Sequence, residues 1–75
     1  AILGAPPQVF DLYDESIAYE YAAAVPRDLY LAGRAQFLRK ILASPRIFVS
    51  DDFRDRLEEA ARQNLKRALD RLTTT

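Results

Sequence analysis

Apolar residues recur at spacings of three and four through three stretches of the chain, and each stretch reads as a helix with a buried side. The clearest is the last. Phe53, Leu57, Ala60, Ala61, Leu65, Ala68, Leu69 and Leu72 gather on one side of a helix spanning about residues 51–72, with charged residues on the other. Ser50, Asp51 and Asp52 offer N-cap oxygens and negative charge at its start, and Arg67 and Arg71 lie near its end, where cations are favoured. Asp52–Arg56 and Glu58–Arg62 stand four apart, the spacing of surface ion pairs. A second helix, about 28–43, places Tyr30, Leu31, Ala35, Phe37, Leu38, Ile41 and Leu42 on one broad arc, with Arg34 inside it. The first helix, about 9–25, carries two stripes: Phe10, Tyr13, Ile17, Tyr21 and Ala24 on one side, Leu12, Tyr19 and Ala23 on another. Together they are wider than the surface a helix at the edge of a small bundle ordinarily buries. The excess on Leu12, Tyr19 and Ala23 calls for cover by the N-terminal arm, a second copy of the chain or a different protein.

Proline separates these stretches. Pro6–Pro7, Pro26 and Pro45 each lack an amide donor and push the preceding residue toward extended geometry, which predicts three breaks. Residues 1–8 then read as an extended arm and 73–75 as a frayed tail. Arg46 to Val49 favours extended backbone, but a lone strand has nothing to pair with, so Ile47, Phe48 and Val49 are expected to cap the bundle end. The expected fold class is all-α, an antiparallel three-helix bundle with short connections and an extended N-terminal arm.

Charge is balanced overall, with 11 basic and 11 acidic residues, but it is polarised along the chain. Val9 to Val25 holds Asp11, Asp14, Glu15 and Glu20 and no base; Pro26 to Arg46 holds Arg27, Arg34, Arg39, Lys40 and Arg46 against Asp28 alone. An acidic partner suits the second helix, and the overall balance argues against nucleic acid. At 75 residues the chain is one domain, which buries only about 60% of its unfolded surface, so stability is expected to be marginal without a partner. No apolar run approaches the roughly 20 residues needed to cross a bilayer. The chain opens AILGAPPQ without an initiator Met, as expected of a processed protein, a domain or a fragment.

The residue types exclude much chemistry. Cysteine and histidine are absent, which removes disulfides, thiol nucleophiles, zinc sites with nitrogen or sulfur ligands and a histidine base. Asp14–Glu15, Asp51–Asp52 and Glu58–Glu59 are neighbours that point about 100° apart on a helix and do not converge. No glycine-rich phosphate loop occurs, since Gly4 and Gly33 are the only glycines. No catalytic residue, metal or cofactor of the chain's own is expected. Two polar residues interrupt apolar faces and need partners: Arg34, by snorkelling, by pairing with Asp14 or Glu20, or by meeting a partner's anion, and Asn64, with Tyr13, Tyr21 or Arg34 in reach. Tyr13 and Tyr21 read as core and Tyr19 as interface.

The order VFDLYDESI, LYLAGRAQFLRKILASPR, VSDDFRDRLEEAARQNLKRALDRL resembles the LYR-motif family of small mitochondrial three-helix proteins over about residues 9–72. Leu12–Tyr13 matches the start of the family motif, Ile17 its later apolar residue, Leu38–Arg39 the apolar-Arg pair, and Val49–Ser50–Asp51 the turn before the third helix. The chain departs from the pattern at Asp14, where the family has Arg, and at Leu42, where it has Phe. The resemblance implies a non-catalytic accessory or assembly subunit, on the matrix side of a mitochondrial respiratory complex. It also implies binding of an acyl carrier protein, which delivers an acyl-phosphopantetheine arm to the bundle. Arg39, Lys40 and Arg34 would face that acidic carrier; apart from the resemblance, the basic patch adds Arg46, and the apolar stripe adds Leu12, Tyr19 and Ala23, as residues expected to contact a partner. A rival pattern is RIFVSDDFRDRLEEAARQ, which looks like the strand and first helix of a ribbon-helix-helix DNA-binding protein, with residues 46–50 as the strand.

Overall fold

The computed structural model describes residues 2–48 and 51–73, and the side chains of all of these except Phe53 and Arg54. The chain is all-helical there: a short 3₁₀ turn, η1 (Ile2–Gly4), then α1 (Pro7–Ala22), α2 (Arg27–Ala43) and α3 (Asp51–Thr73). The prolines act as helix starts. Pro6 is the N-cap of α1 and Pro7 its first residue, where a missing N–H costs nothing, and the Pro6 carbonyl accepts the Phe10 amide at 3.0 Å. Pro26 does the same for α2, accepting the Tyr30 amide at 3.0 Å. Hence α1 begins two residues before the expected Val9 and ends at Ala22 rather than Val25. α2 stops at Ser44, whose ψ of 139° is extended, as a residue before proline prefers.

The arm is a correction to the extended reading, because η1 folds back and packs on α3 and α1. Gly4 makes the approach possible: a Cβ there would stand 2.7 Å from the Leu57 Cβ. Asn64, buried on α3, holds the arm with Nδ2, which donates to the carbonyls of Leu3 (2.8 Å) and Ala5 (2.9 Å), and its Oδ1 accepts from Arg67 Nη2 at 2.7 Å. The tyrosines expected to satisfy it are not among these partners.

The core is small. Phe10 from α1, Leu38 from α2, and Leu65 and Ala68 from α3 form the buried cluster, and Leu3, Ile41, Leu42, Ile47, Leu69 and Leu72 pack against it. Tyr13 (39% exposed), Tyr21 (49%) and Phe37 (49%) depart from their expected core positions, and Ala60 is exposed as well. Ile47 packs at the core edge as expected; Val49, like the Ser50 cap, lies outside the described residues.

The α2–α3 connection is held by charge. Arg62 donates from Nη1 to the Leu42 carbonyl (3.0 Å) and from Nη2 to the Ser44 carbonyl (2.7 Å), capping the negative end of α2. Its ion-pair partner Glu58 (2.9 Å) accepts the amides of Ile47 and Phe48. Burial works to raise the Glu58 pKa, but the two amides and Arg62 outweigh it and hold the carboxyl below its ordinary value. The i,i+4 pair is therefore a loop clamp more than a solvated surface pair.

Candidate functional site

The face formed by α1 and α2 holds the candidate site. An open groove of about 570 Å³ runs between these helices, with Tyr13, Ile17 and Tyr21 on the α1 wall and Leu29, Tyr30 and Phe37 on the α2 wall. The Tyr21 and Tyr30 rings meet at 5.7 Å, closing one part of it. Burial raises the Tyr30 pKa above its ordinary value, so that phenol stays protonated across the physiological range. Gly33 is also on the lining, with open space within 4 Å of where its Cβ would be.

Arg34 reaches the same groove from an internal network. Its Nη2 donates to Asp14 Oδ1 at 3.0 Å, and the guanidinium stands 5.5 Å from the centre of the Phe37 ring, within cation–π range. Its Nε is buried and has no hydrogen-bond partner among the described residues. Asp14, nine-tenths buried, also accepts from Arg71 Nη2 at 2.7 Å. Arg71 reaches Asp11 at 3.4 Å, and Arg67 pairs with Asp11 at 2.8 Å and bonds Asn64. One polar chain thus runs from the arm through Asn64, Arg67, Asp11, Arg71 and Asp14 to Arg34, joining every element. The Arg67 hydrogen bond leads the causes that lower the Asp11 pKa. Burial works against the Arg71 cation, but the Asp14 hydrogen bond and the two carboxylates outweigh it and raise that pKa.

The residues predicted for partner contact fall into three places. Leu12 (68% exposed), Tyr19 (83%) and Ala23 lie uncovered on the outward side of α1, and the arm does not reach them. Of the offered partners for Arg34, the structure selects Asp14, which makes it a part-buried internal guanidinium rather than a free surface charge. Arg39 and Lys40 are exposed on α2. Arg46 pairs with Asp51 at 3.1 Å. These residues do not converge on one spot. Sequence reasoning missed the groove, because Tyr13, Tyr21 and Phe37 share helical period with true core residues. The signal lay in stripe width: α1 and α2 present more apolar arc than α3 can cover.

Asp14 stands where the resembled family has Arg, and here it serves the network. For the ribbon-helix-helix pattern, residues 46–48 form no strand, residues 49 and 50 lie outside the described ones, and α3 runs through Asp51–Thr73 as one helix. Among the described residues no cluster of acidic side chains could hold a metal ion, and no helix is long and apolar enough to cross a membrane. No family model matches the chain, and neither a curated protein nor a solved structure matches it.

Proposed function

We propose that the chain is a non-catalytic helical docking module, an accessory subunit of a larger protein assembly, whose α1–α2 face binds another protein. The carrying observation is the exposure of large apolar side chains on α1 and α2. Val9, Leu12, Tyr13, Tyr19 and Tyr21 on α1 and Leu29 and Phe37 on α2 are all exposed, whereas the described part of α3 adds none. Of these, Tyr13, Tyr21, Leu29 and Phe37 line one groove, and a contiguous apolar surface of this kind marks an interaction site. An antiparallel three-helix arrangement belongs to this reading and is supported by the order of contacts. Asp14 meets Arg34 while Tyr21 meets Tyr30, so partners descend along α2 as α1 ascends; Asp11 and Asp14 meet Arg67 and Arg71, ascending together.

The acidic partner expected for α2 would engage Arg39 and Lys40, which project into solvent, with Arg46 at the end of the helix. An acyl carrier protein has this chemistry, and the LYR-like order of the sequence favours it, with the mitochondrial matrix as the compartment. The test is native mass spectrometry of the chain purified from its own source. A stoichiometric complex with other subunits is expected, weakened by Arg39→Glu with Lys40→Glu if the partner is acidic. Recovery of the chain with no other subunit, folded and stable, would overturn the accessory-subunit reading.

A further inference from the structure

We infer that the outward side of α1, away from the groove, is a seam for a basic amphipathic helix of a different protein, one whose apolar stripe is flanked by Lys or Arg. This rests on α1 being part of a docking face and names the chemistry of one occupant.

The seam has a spacing of its own. Val9, Leu12, Ser16, Tyr19 and Ala23 follow one another by three, four, three and four residues, the a and d positions of successive heptads. All five are exposed, and the last, Ala23, is the C-cap of α1 and keeps helical backbone. At about 100° per residue, Leu12 and Tyr19 point about 180° away from Phe10, which is fully buried, so the bundle's own elements lie on the opposite side of the helix. Leu12 and Tyr19 at d are large, whereas Ser16 and Ala23 at a are small, which leaves a notch on either side of Tyr19 for a partner's side chains to enter. Ser16 brings no unmet donor to the seam, because its Oγ donates to the Tyr13 carbonyl at 2.7 Å. So short a seam would not hold two free peptides together, but the core already fixes α1 as a helix, and that ordering cost does not fall on the encounter.

Charge selects the occupant. Glu15 stands at a g position and Glu20 at an e position, one along each edge of the seam, and both are exposed. Neither carboxylate is held by an ion pair or hydrogen bond among the described residues, unlike Asp11 and Asp14, which Arg34, Arg67 and Arg71 engage. Residues 9–25 contain no base to offset them. A second copy is therefore rejected. Paired parallel, Glu15 of one α1 would face Glu20 of the other; paired antiparallel, like edges meet, acid against acid. The same two charges oppose an anionic lipid surface. Lys or Arg at the e and g positions of a partner helix complements both edges at once.

The test is fluorescence anisotropy with two labelled three-heptad peptides, titrated with the intact chain at low ionic strength, where exposed charges act over a longer range. Both carry Leu at a and d; one has Lys and the other Glu at e and g. The Lys peptide is expected to bind at least tenfold more tightly. Leu12→Asp and Tyr19→Asp should each weaken that binding at least tenfold with helical circular dichroism unchanged, and Phe37→Asp, in the groove, should leave it as it was. Glu15→Lys with Glu20→Lys should reverse the preference between the peptides. Equal binding of the two peptides, or a preference that survives the reversal, would overturn the selection by charge. Binding lost in Phe37→Asp and kept in Leu12→Asp would move the contact to the groove and overturn the seam. A native dimer in sedimentation equilibrium that Leu12→Asp dissolves would do the same, since a second copy would then cover the stripe. Failure of both peptides to bind overturns this inference alone; the accessory-subunit reading stands or falls on recovery of a native complex.

Discussion

Asp14 shows how much one position can carry. Two guanidiniums converge on it, and among the described residues the part-buried one, Arg34, pairs with no other carboxylate. Asp14→Ala is expected to cost about 3 kcal/mol, because removing one member of a buried pair leaves the other charged and uncompensated. Asp14→Leu combined with Arg34→Met should cost much less, since both charges leave together; urea unfolding midpoints would separate the outcomes. Acid sensitivity belongs to the same scale. Asp11 and Glu58 have folded pKa values below their ordinary 3.8 and 4.5, so the unfolded chain takes up protons first as pH falls. Their stabilisation is complete above about pH 5 and is lost as pH falls through the ordinary values toward the lowered ones. Melting temperature should therefore hold steady from neutrality to about pH 5 and drop below that. Glu58→Gln should start lower and flatten the decline. The Arg34–Asp14 pair was among those the second helix offered, but the rest was not visible locally: Glu58–Arg62 has the spacing of a surface pair, and Asp11–Arg67 and Asp14–Arg71 join residues 56 and 57 apart.

At the scale of elements, the two glycines make opposite predictions. Gly4 lies where the arm touches α3, and a methyl group would press on Leu57. Gly4→Ala should destabilise by about 1–3 kcal/mol, the usual cost of overpacking. Gly33 sits mid-helix with open space around it, so Gly33→Ala should stabilise α2 by about 0.5–1 kcal/mol by lowering the backbone entropy lost on folding. Thermal melts of the two variants would show shifts of opposite sign. The existence of three helices was legible from period, and their ends less so. Proline was read as a break at Pro6, Pro7 and Pro26, although the first turn of a helix is where its missing donor is harmless. The arm gave no periodic signal at all. Its position depends on Asn64, a single buried amide whose acceptors lie about sixty residues upstream.

Over the whole molecule, the surface divides into a polar side on α3 and an apolar, charge-polarised side on α1 and α2. That asymmetry links fold to function, since a small domain with a core of a few side chains gains stability when its open face is covered. Melting temperature should rise when the chain is bound to its partner subunit, and that rise should shrink in Leu12→Asp. Lys66→Ala, on the exposed side of α3, should change stability by less than about 0.5 kcal/mol and leave association unchanged. Calorimetric scans with and without the co-purified partner would check both.

The sequence by itself determined the helical class, the approximate helix bodies, the apolar stripe of α3 and the surplus of apolar surface on α1, because period and residue type are local properties of the chain. Tertiary structure alone decided that the other stripe of α1 is also left half open, which of Asp14 and Glu20 answers Arg34, how the arm returns to α3, and that Tyr13, Tyr21 and Phe37 line a groove. A helical period specifies only the direction in which a side chain points. Whether it meets a neighbour there depends on where distant elements come to rest, and three helices this short cannot cover every apolar arc they present.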